Sequence, residues 1–230
     1  MTNVEKALEY VSDGAAVGLG SGHAAERFLH ALADRIEDGL NVRGVPTSRG
    51  TEALARSLDI PLVPLDQALP LDLAVDGADE VSPTLDLIKG YGHALVRERI
   101  VAAAALRFVI LIGPEHVEEK VVDYLGRRGK LPIEVLPFAL PLVRRRLSAL
   151  GLSAEPVREG SDLFVSDNGN YILEAVIPPL EEPAGLDHAV RGIPGVVDTG
   201  LFLGMADVVL VETDGNVEVR ERPHGQSPDA

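Results

Sequence analysis

The sequence predicts an α/β chain: a mostly parallel sheet covered by helices, with a smaller α+β unit inserted before its last strands. Two observations carry this reading. Through the first half, short apolar runs alternate with stretches of helical periodicity and glycine turns, the pattern of βαβ units in a sheet buried on both faces. Beyond Gly126 the texture changes to a single helix followed by closely spaced alternating runs around Asp167-Asn168-Gly169-Asn170, and Asn-Gly between strands signals a hairpin. At 230 residues and 46% apolar content, the chain has ample material for a packed core.

Taken in order, residues 15–19 read as a strand, followed by glycines and the helical stripe Ala25, Phe28, Leu29, Leu32 and Ile36. Residues 41–45 read as a second strand, and Ala53, Leu54 and Leu58 as a short helix. Strands follow at 71–75 and 108–112, with a helix over 96–105 between them. Later come a helix over 139–150, strands at 163–166 and 171–177, and a helix around 186–190. Runs at 196–202 and 208–211 then return as strands that rejoin the first sheet. The expected organisation is a Rossmann-like domain of residues 1–126 plus 200–221 and a ferredoxin-like α+β domain of residues 127–199. A disordered tail is expected over 222–230, which is polar with two prolines.

The formal net charge of −15 argues against a nucleic-acid or anionic-membrane surface, because phosphates are repelled everywhere but at a local basic pocket. There is no cysteine, which excludes a disulfide scaffold and any thiolate nucleophile or metal ligand. No apolar run approaches a signal peptide or a membrane span, so a cytoplasmic location is expected.

Three clusters carry chemistry. Gly18-Leu19-Gly20-Ser21-Gly22 stands between a strand and a helix, where glycines permit a tight turn and free helix amides attract an anion. A dinucleotide site would need an acid at the end of the second strand. That strand ends Gly44-Val45-Pro46-Thr47-Ser48, without one. Asp76-Gly77-Ala78-Asp79-Glu80 follows the strand at 71–75, at the carboxyl edge where parallel sheets bind ligands. It lacks the alternate oxygen ligands of a calcium loop. Ile88-Lys89-Gly90-Tyr91-Gly92-His93-Ala94 runs into a helix bearing Arg97, Glu98 and Arg99, so an ammonium and main-chain amides can gather around an anionic oxygen. Singly, these clusters also suit a capped turn, a solvated loop and a surface acid flanked by arginines. Together they combine phosphate amides, an Asp pair, a Lys and a Glu at strand-to-helix transitions of one sheet.

The segments GLGSG, GVPTSRGT and DLAVDGADEVSPTLDLIKGYGHALVRERIVA, with LPIEVLPFA, SDNGNYILE and IPGVVDTGLFLGMADVVLV later, resemble the successive signatures of type A ribose-5-phosphate isomerases. The resemblance spans about residues 4–219. It implies an aldose–ketose isomerase that interconverts ribose 5-phosphate and ribulose 5-phosphate through an enediolate, without metal or cofactor. It further implies Glu98 as the base acting on carbons 1 and 2, and Asp76, with Asp79 close by, managing the sugar oxygen protons. Lys89 with neighbouring amides would hold the oxyanion. Ser21, Gly22, His23, Ala24, Gly77, Ala78, Gly90, Tyr91, Gly92, His93 and His116 would contact the sugar phosphate, and the chain would form a homodimer or homotetramer.

The departures from the family pattern fall on the phosphate contacts. Where the family has Thr-Gly-Ser-Thr, this chain has Ser21-Gly22-His23-Ala24; the family's glycine run after the Lys is interrupted by Tyr91 and ended by His93; and its Ser-Lys pair beyond the strand at 108–112 is read as Glu115-His116. These changes read either as drift in a divergent branch, with His116 simply exposed, or as a remodelled anion site in which His23, His93 and Arg49 replace hydroxyls and Lys. They also raise a second possibility, the same isomerase chemistry on another aldose. A sensor that binds without turnover has no need of a carbon base, which Glu98 provides.

Overall fold

The structure, a computed structural model, describes residues 1–223. It opens with helix α1 (Asn3–Leu8), which starts on a capping box: the Thr2 hydroxyl accepts from the Glu5 amide while the Glu5 carboxylate accepts from the Thr2 amide. Strand β1 (Ala15–Leu19), helix α2 (His23–Glu37), strand β2 (Val42–Pro46), helix α3 (Arg49–Ser57) and strand β3 (Leu73–Gly77) follow as βαβ units. The short strands β4 (Glu80–Val81) and β5 (Leu87–Ile88) then lead into helix α4 (Leu95–Ala103), strand β6 (Phe108–Ile112) and the short helix α5 (Val117–Lys120).

The next elements are β7 (Lys130–Val135), α6 (Leu140–Ala149), β8 (Ser153–Pro156), β9 (Arg158–Glu159), β10 (Asp162–Leu163), β11 (Tyr171–Val176) and α7 (Pro183–Arg191). Strands β12 (Val196–Thr199), β13 (Leu201–Phe202), β14 (Val208–Thr213) and β15 (Asn216–Glu221) complete the described residues. The main sheet has the order β15-β14-β6-β3-β1-β2, parallel throughout except for the antiparallel β14–β15 edge.

Strands β1 and β6 are buried at every position, as a sheet covered on both faces requires. Alternate residues divide between the two layers. Val17, Leu19, Leu73, Val75 and Leu111 meet Phe28, Leu29 and Leu32 of α2. Ala16, Ala74 and Ile110 face Leu95, Val101 and Ala102 of α4.

The second unit runs β7-α6-β8-β11-α7-β12 and pairs antiparallel in the order β12-β7-β11-β8, which is the ferredoxin-like arrangement. Its helices bury Val143, Leu147 and Val190 against Ile133 and Leu173.

Three expectations need correction. Residues 196–202 do not rejoin the main sheet as one strand: β12 pairs with β7, whereas β13 pairs with β5 in a separate sheet of order β13-β5-β4. Gly200 makes the break, donating its amide to the Pro132 carbonyl and accepting from the Lys89 amide with its own carbonyl. The expected strand at 163–166 reduces to the end of β10 and a single bridge from Val165 to Tyr171, because Ser166 turns inward to a buried carboxylate. Of the expected tail, residues 224–230 lie outside the described residues. Arg222 is anchored, its guanidinium donating to the carbonyls of Ala206 and Leu85.

Candidate active site

The carboxyl ends of β1 and β3 converge with the N-termini of α2, α3 and α4. Gly20 is required where β1 leaves the sheet, since a Cβ there would lie 2.4 Å from the Asp76 carboxyl group. The amides of Ser21 and Gly77 both donate to Asp76 Oδ1, at 3.1 and 2.8 Å, so the acid at the end of β3 orders the first glycine turn. The Ser21 hydroxyl joins those of Thr47, Ser48 and Thr51 at 2.8–3.0 Å. Ser48 also caps α3 by accepting from the Thr51 amide.

Lys89 stands at the end of β5, just before a turn in which Gly90 adopts φ 100°, a conformation open to glycine at little cost. Its ammonium lies 3.0 Å from Asp76 Oδ2 and 3.5 Å from Glu98 Oε2, and donates to the Gly77 carbonyl at 2.6 Å. All three side chains are at most 5% exposed. Glu98 Oε2 is buried and has no hydrogen-bond partner closer than the Lys89 ammonium at 3.5 Å.

Burial penalises the charged form of each carboxyl group and so raises the pKa of Asp76 and that of Glu98. The Lys89 charge pulls both back down, while Asp76 and Asp79 push Glu98 up further, to about 8. For Lys89 burial works downward, but Asp76, Glu98 and Asp79 outweigh it, and the ammonium stays charged. A carboxyl group with a pKa near the working pH suits a proton carrier, and a fixed ammonium beside it suits the stabilisation of developing negative charge.

These groups meet at a cavity of about 340 Å³. Of the sequence-derived candidates, Ser21, Gly22, His23, Ala24, Gly77, Ala78, Asp79, Lys89, Gly90, Gly92, Glu98 and His116 line it. Asp76 is not on the wall; it touches Lys89. Tyr91 and His93 are also absent from the lining. Tyr91 gives its amide to Asp79 and its hydroxyl to the Lys130 carbonyl, while His93 packs on Phe164 and lies 3.5 Å from Glu174. Burial lowers the pKa of His93. Arg49 turns to Asp167. The three histidines therefore do not gather: His23 and His116 share the cavity and His93 does not.

Sequence reasoning missed Ser48, Thr51 and Lys120, which also line the cavity, as does Glu115 beside His116. The Thr-Ser-Arg-Gly-Thr run after β2 could have revealed the two hydroxyls. Lys120, at the end of α5 one helical turn beyond His116, brings a cation to the lining. Burial lowers the pKa of Lys120.

Residues 43–216 match the family described as Ribose 5-phosphate isomerase A (phosphoriboisomerase A). The chain belongs to this family. The "Ribose-5-phosphate isomerase A" of Roseiflexus castenholzii is 50% identical over 222 residues, covering 94% of this chain and 92% of that protein. That of Sphingopyxis alaskensis is 42% identical over 94% of this chain and 93% of its own length. Among solved structures, a D-ribose-5-phosphate isomerase in complex with phospho-erythronic acid superposes with a TM-score of 0.89 at 38% identity, covering 96% of both chains. The ribose 5-phosphate isomerase of Plasmodium falciparum gives 0.89 at 32% identity over 96% of this chain and 97% of that one. Fold and family agree along the length of the chain.

Proposed function

We propose that this chain interconverts ribose 5-phosphate and ribulose 5-phosphate with Glu98 as the proton carrier and Lys89 as the oxyanion partner. The single observation that carries this reading is the buried Lys89 ammonium set between Asp76 and Glu98, with Lys89 and Glu98 both on the cavity wall. On the open-chain aldose, Glu98 removes the proton from C2; the C–H pair becomes the C1–C2 double bond as the carbonyl pair moves onto O1. Lys89 stabilises the resulting enediolate. The O2 proton passes to O1, and Glu98 returns its proton to C1 as the O2 pair forms the ketose carbonyl. Asp79, on the wall, is placed to handle the oxygen protons. Asp76 holds Lys89 charged and orders the Ser21 turn. His23, His116, Lys120 and the free amides at the start of α2 form the end of the cavity suited to the phosphate.

The reaction belongs to the non-oxidative branch of the pentose phosphate pathway, and on that ground we place the chain in the cytoplasm. Among the described residues no helix is long and apolar enough to cross a membrane. Assembly as a homodimer or homotetramer is supported by apolar side chains left on the surface, such as Phe138, fully exposed, and Leu142.

The presence of His23, Ala24 and His116 in the lining favours testing a second reading, the same chemistry on another aldose. A coupled assay with ribose 5-phosphate, run beside a panel of aldoses and aldose phosphates, decides between them. Ribose 5-phosphate is expected to give the highest kcat/KM. A faster reaction on another sugar transfers the assignment to that sugar, and the absence of any turnover removes it.

A further inference from the structure

Glu98 is followed on α4 by an arginine that faces elsewhere. Arg99 is not among the residues lining the cavity, yet its side chain is only 14% exposed and every part of the guanidinium is engaged. Nε donates to Asp198, Nη2 donates to the carbonyls of Thr199 and Leu201 at 2.8 Å each, and Nη1 lies 3.3 Å from the Met205 sulfur. Its Cζ stands 4.2 Å from the centre of the Phe202 ring, and the Lys89 ammonium stands 5.7 Å from the same ring.

The segment that Arg99 grips also holds the oxyanion lysine. The Lys89 amide donates to the Gly200 carbonyl at 2.9 Å, and Leu201 and Phe202 pair in register with Ile88 and Leu87 of β5. Residues 198–202 thus bind the strand that delivers Lys89 through the main chain, and the helix that delivers Glu98 through one side chain.

We infer that Arg99 is a positioning residue for the isomerisation: it fixes α4 to the 198–202 segment and so sets the distance between Glu98 and Lys89 without touching substrate. This rests on the reading of Glu98 as the base. The planar fork suits the task, because it satisfies a carboxylate and two carbonyls from one rigid group. Without it, α4 keeps its apolar packing through Leu95, Val101 and Ala102 but loses its polar tie to that segment. Small displacements of a reacting group are costly in rate. Lys89 also opposes protonation of Glu98, so a longer separation moves the titration of Glu98 upward.

The test compares Arg99→Gln, Arg99→Lys and Glu98→Gln by steady-state kinetics across pH, alongside thermal unfolding. Arg99→Gln is expected to lower kcat by about tenfold or more with KM changed less than about threefold, and to move the midpoint of the kcat/KM profile up by about half a pH unit. Arg99→Lys, which keeps the charge but not the planar fork, is expected to recover only part of the rate and to move the midpoint only part of the way back. Folded Arg99→Gln with unchanged kcat, or with a lower kcat but an unmoved midpoint, overturns the inference. If Arg99→Gln does not fold, Asp198→Asn, which leaves the two carbonyl contacts, takes its place; an upward midpoint shift supports the inference and an unmoved midpoint overturns it. Near-normal turnover by Glu98→Gln overturns the base assignment itself. An inactive Glu98→Gln beside a fully active Arg99→Gln overturns only the positioning role.

Discussion

Two carboxyl groups and one ammonium, all nearly inaccessible to water, give the site its properties at the scale of single residues. Glu98→Gln keeps the shape and removes the base proposed above, so kcat is expected to fall roughly 10²–10⁴-fold while the protein remains folded; steady-state assays with circular dichroism check both. Because the base works only when ionised, wild-type kcat/KM is expected to rise with pH up to about 8, where the Glu98 carboxyl group loses its proton. The same shift bears on stability. Folding raises the Glu98 pKa from 4.5 to about 8, so the folded state binds this proton more tightly than the unfolded state does. The stability this contributes is fully present below the unfolded value and disappears as pH rises through the folded one. Glu98→Gln is therefore expected to unfold at a higher temperature than wild type near about pH 9 and at nearly the same temperature near about pH 5. A wild type more heat-resistant than the variant at the higher pH would contradict this. Asp79 and Lys89 could be singled out because each follows a strand, and Glu98, in the first turn of α4, only because its motif resembles the family's. Lys120 was not, because a short helical turn separates it from the β6 end where a cation was sought.

At the scale of elements, what decides the site is where strands stop. The apolar run 196–202 reads as one strand because Val196, Val197, Leu201 and Phe202 all favour extended backbone, and nothing in their pattern says that it serves two sheets. The break at Gly200 is set by contact: a Cβ there would meet the Lys89 carbonyl at 2.3 Å and the Pro132 ring at 3.0 Å. Gly200→Ala is expected to destabilise the fold by about 1–3 kcal/mol. It should also lower kcat, since the strand forced to move carries Lys89. Chemical denaturation with parallel kinetics checks this, and a variant of wild-type stability would show that the segment yields freely. The β14–β15 hairpin was legible in principle: Asp214-Gly215 is a two-residue turn signal between an apolar run and an alternating one. The parallel strands were the plainest, since continuous apolar runs between helical stripes have few other uses.

At the scale of the whole molecule, the four-stranded unit and the parallel sheet meet through a polar turn beside the site. Asp167 accepts from the Arg49 amide at the start of α3, and the Asp167 carbonyl and Asn168 side chain both accept from Arg97 on α4. The turn is held from its own side by Glu134, a fully buried acid on β7. Glu134 Oε1 accepts from Ser166, Asn168 and Asn170 at 2.8–3.0 Å. The Asp-Asn-Gly-Asn sequence reads as a hairpin turn; the chain does reverse there, but across a single Val165–Tyr171 bridge, and its reach to α3 and α4 could not be read locally because every partner lies far away in the chain. Removing the acceptor strands two buried donors, on Ser166 and Asn170, and releases the exposed Asn168. Glu134→Ala is accordingly expected to lower the unfolding free energy by about 2–4 kcal/mol, whereas Glu134→Gln, which keeps a carbonyl oxygen for the same donors, should lose less. Urea unfolding of the two variants beside wild type measures both steps. Equal losses would mean that the charge of Glu134, and not its acceptor oxygen, holds the turn that joins the two units.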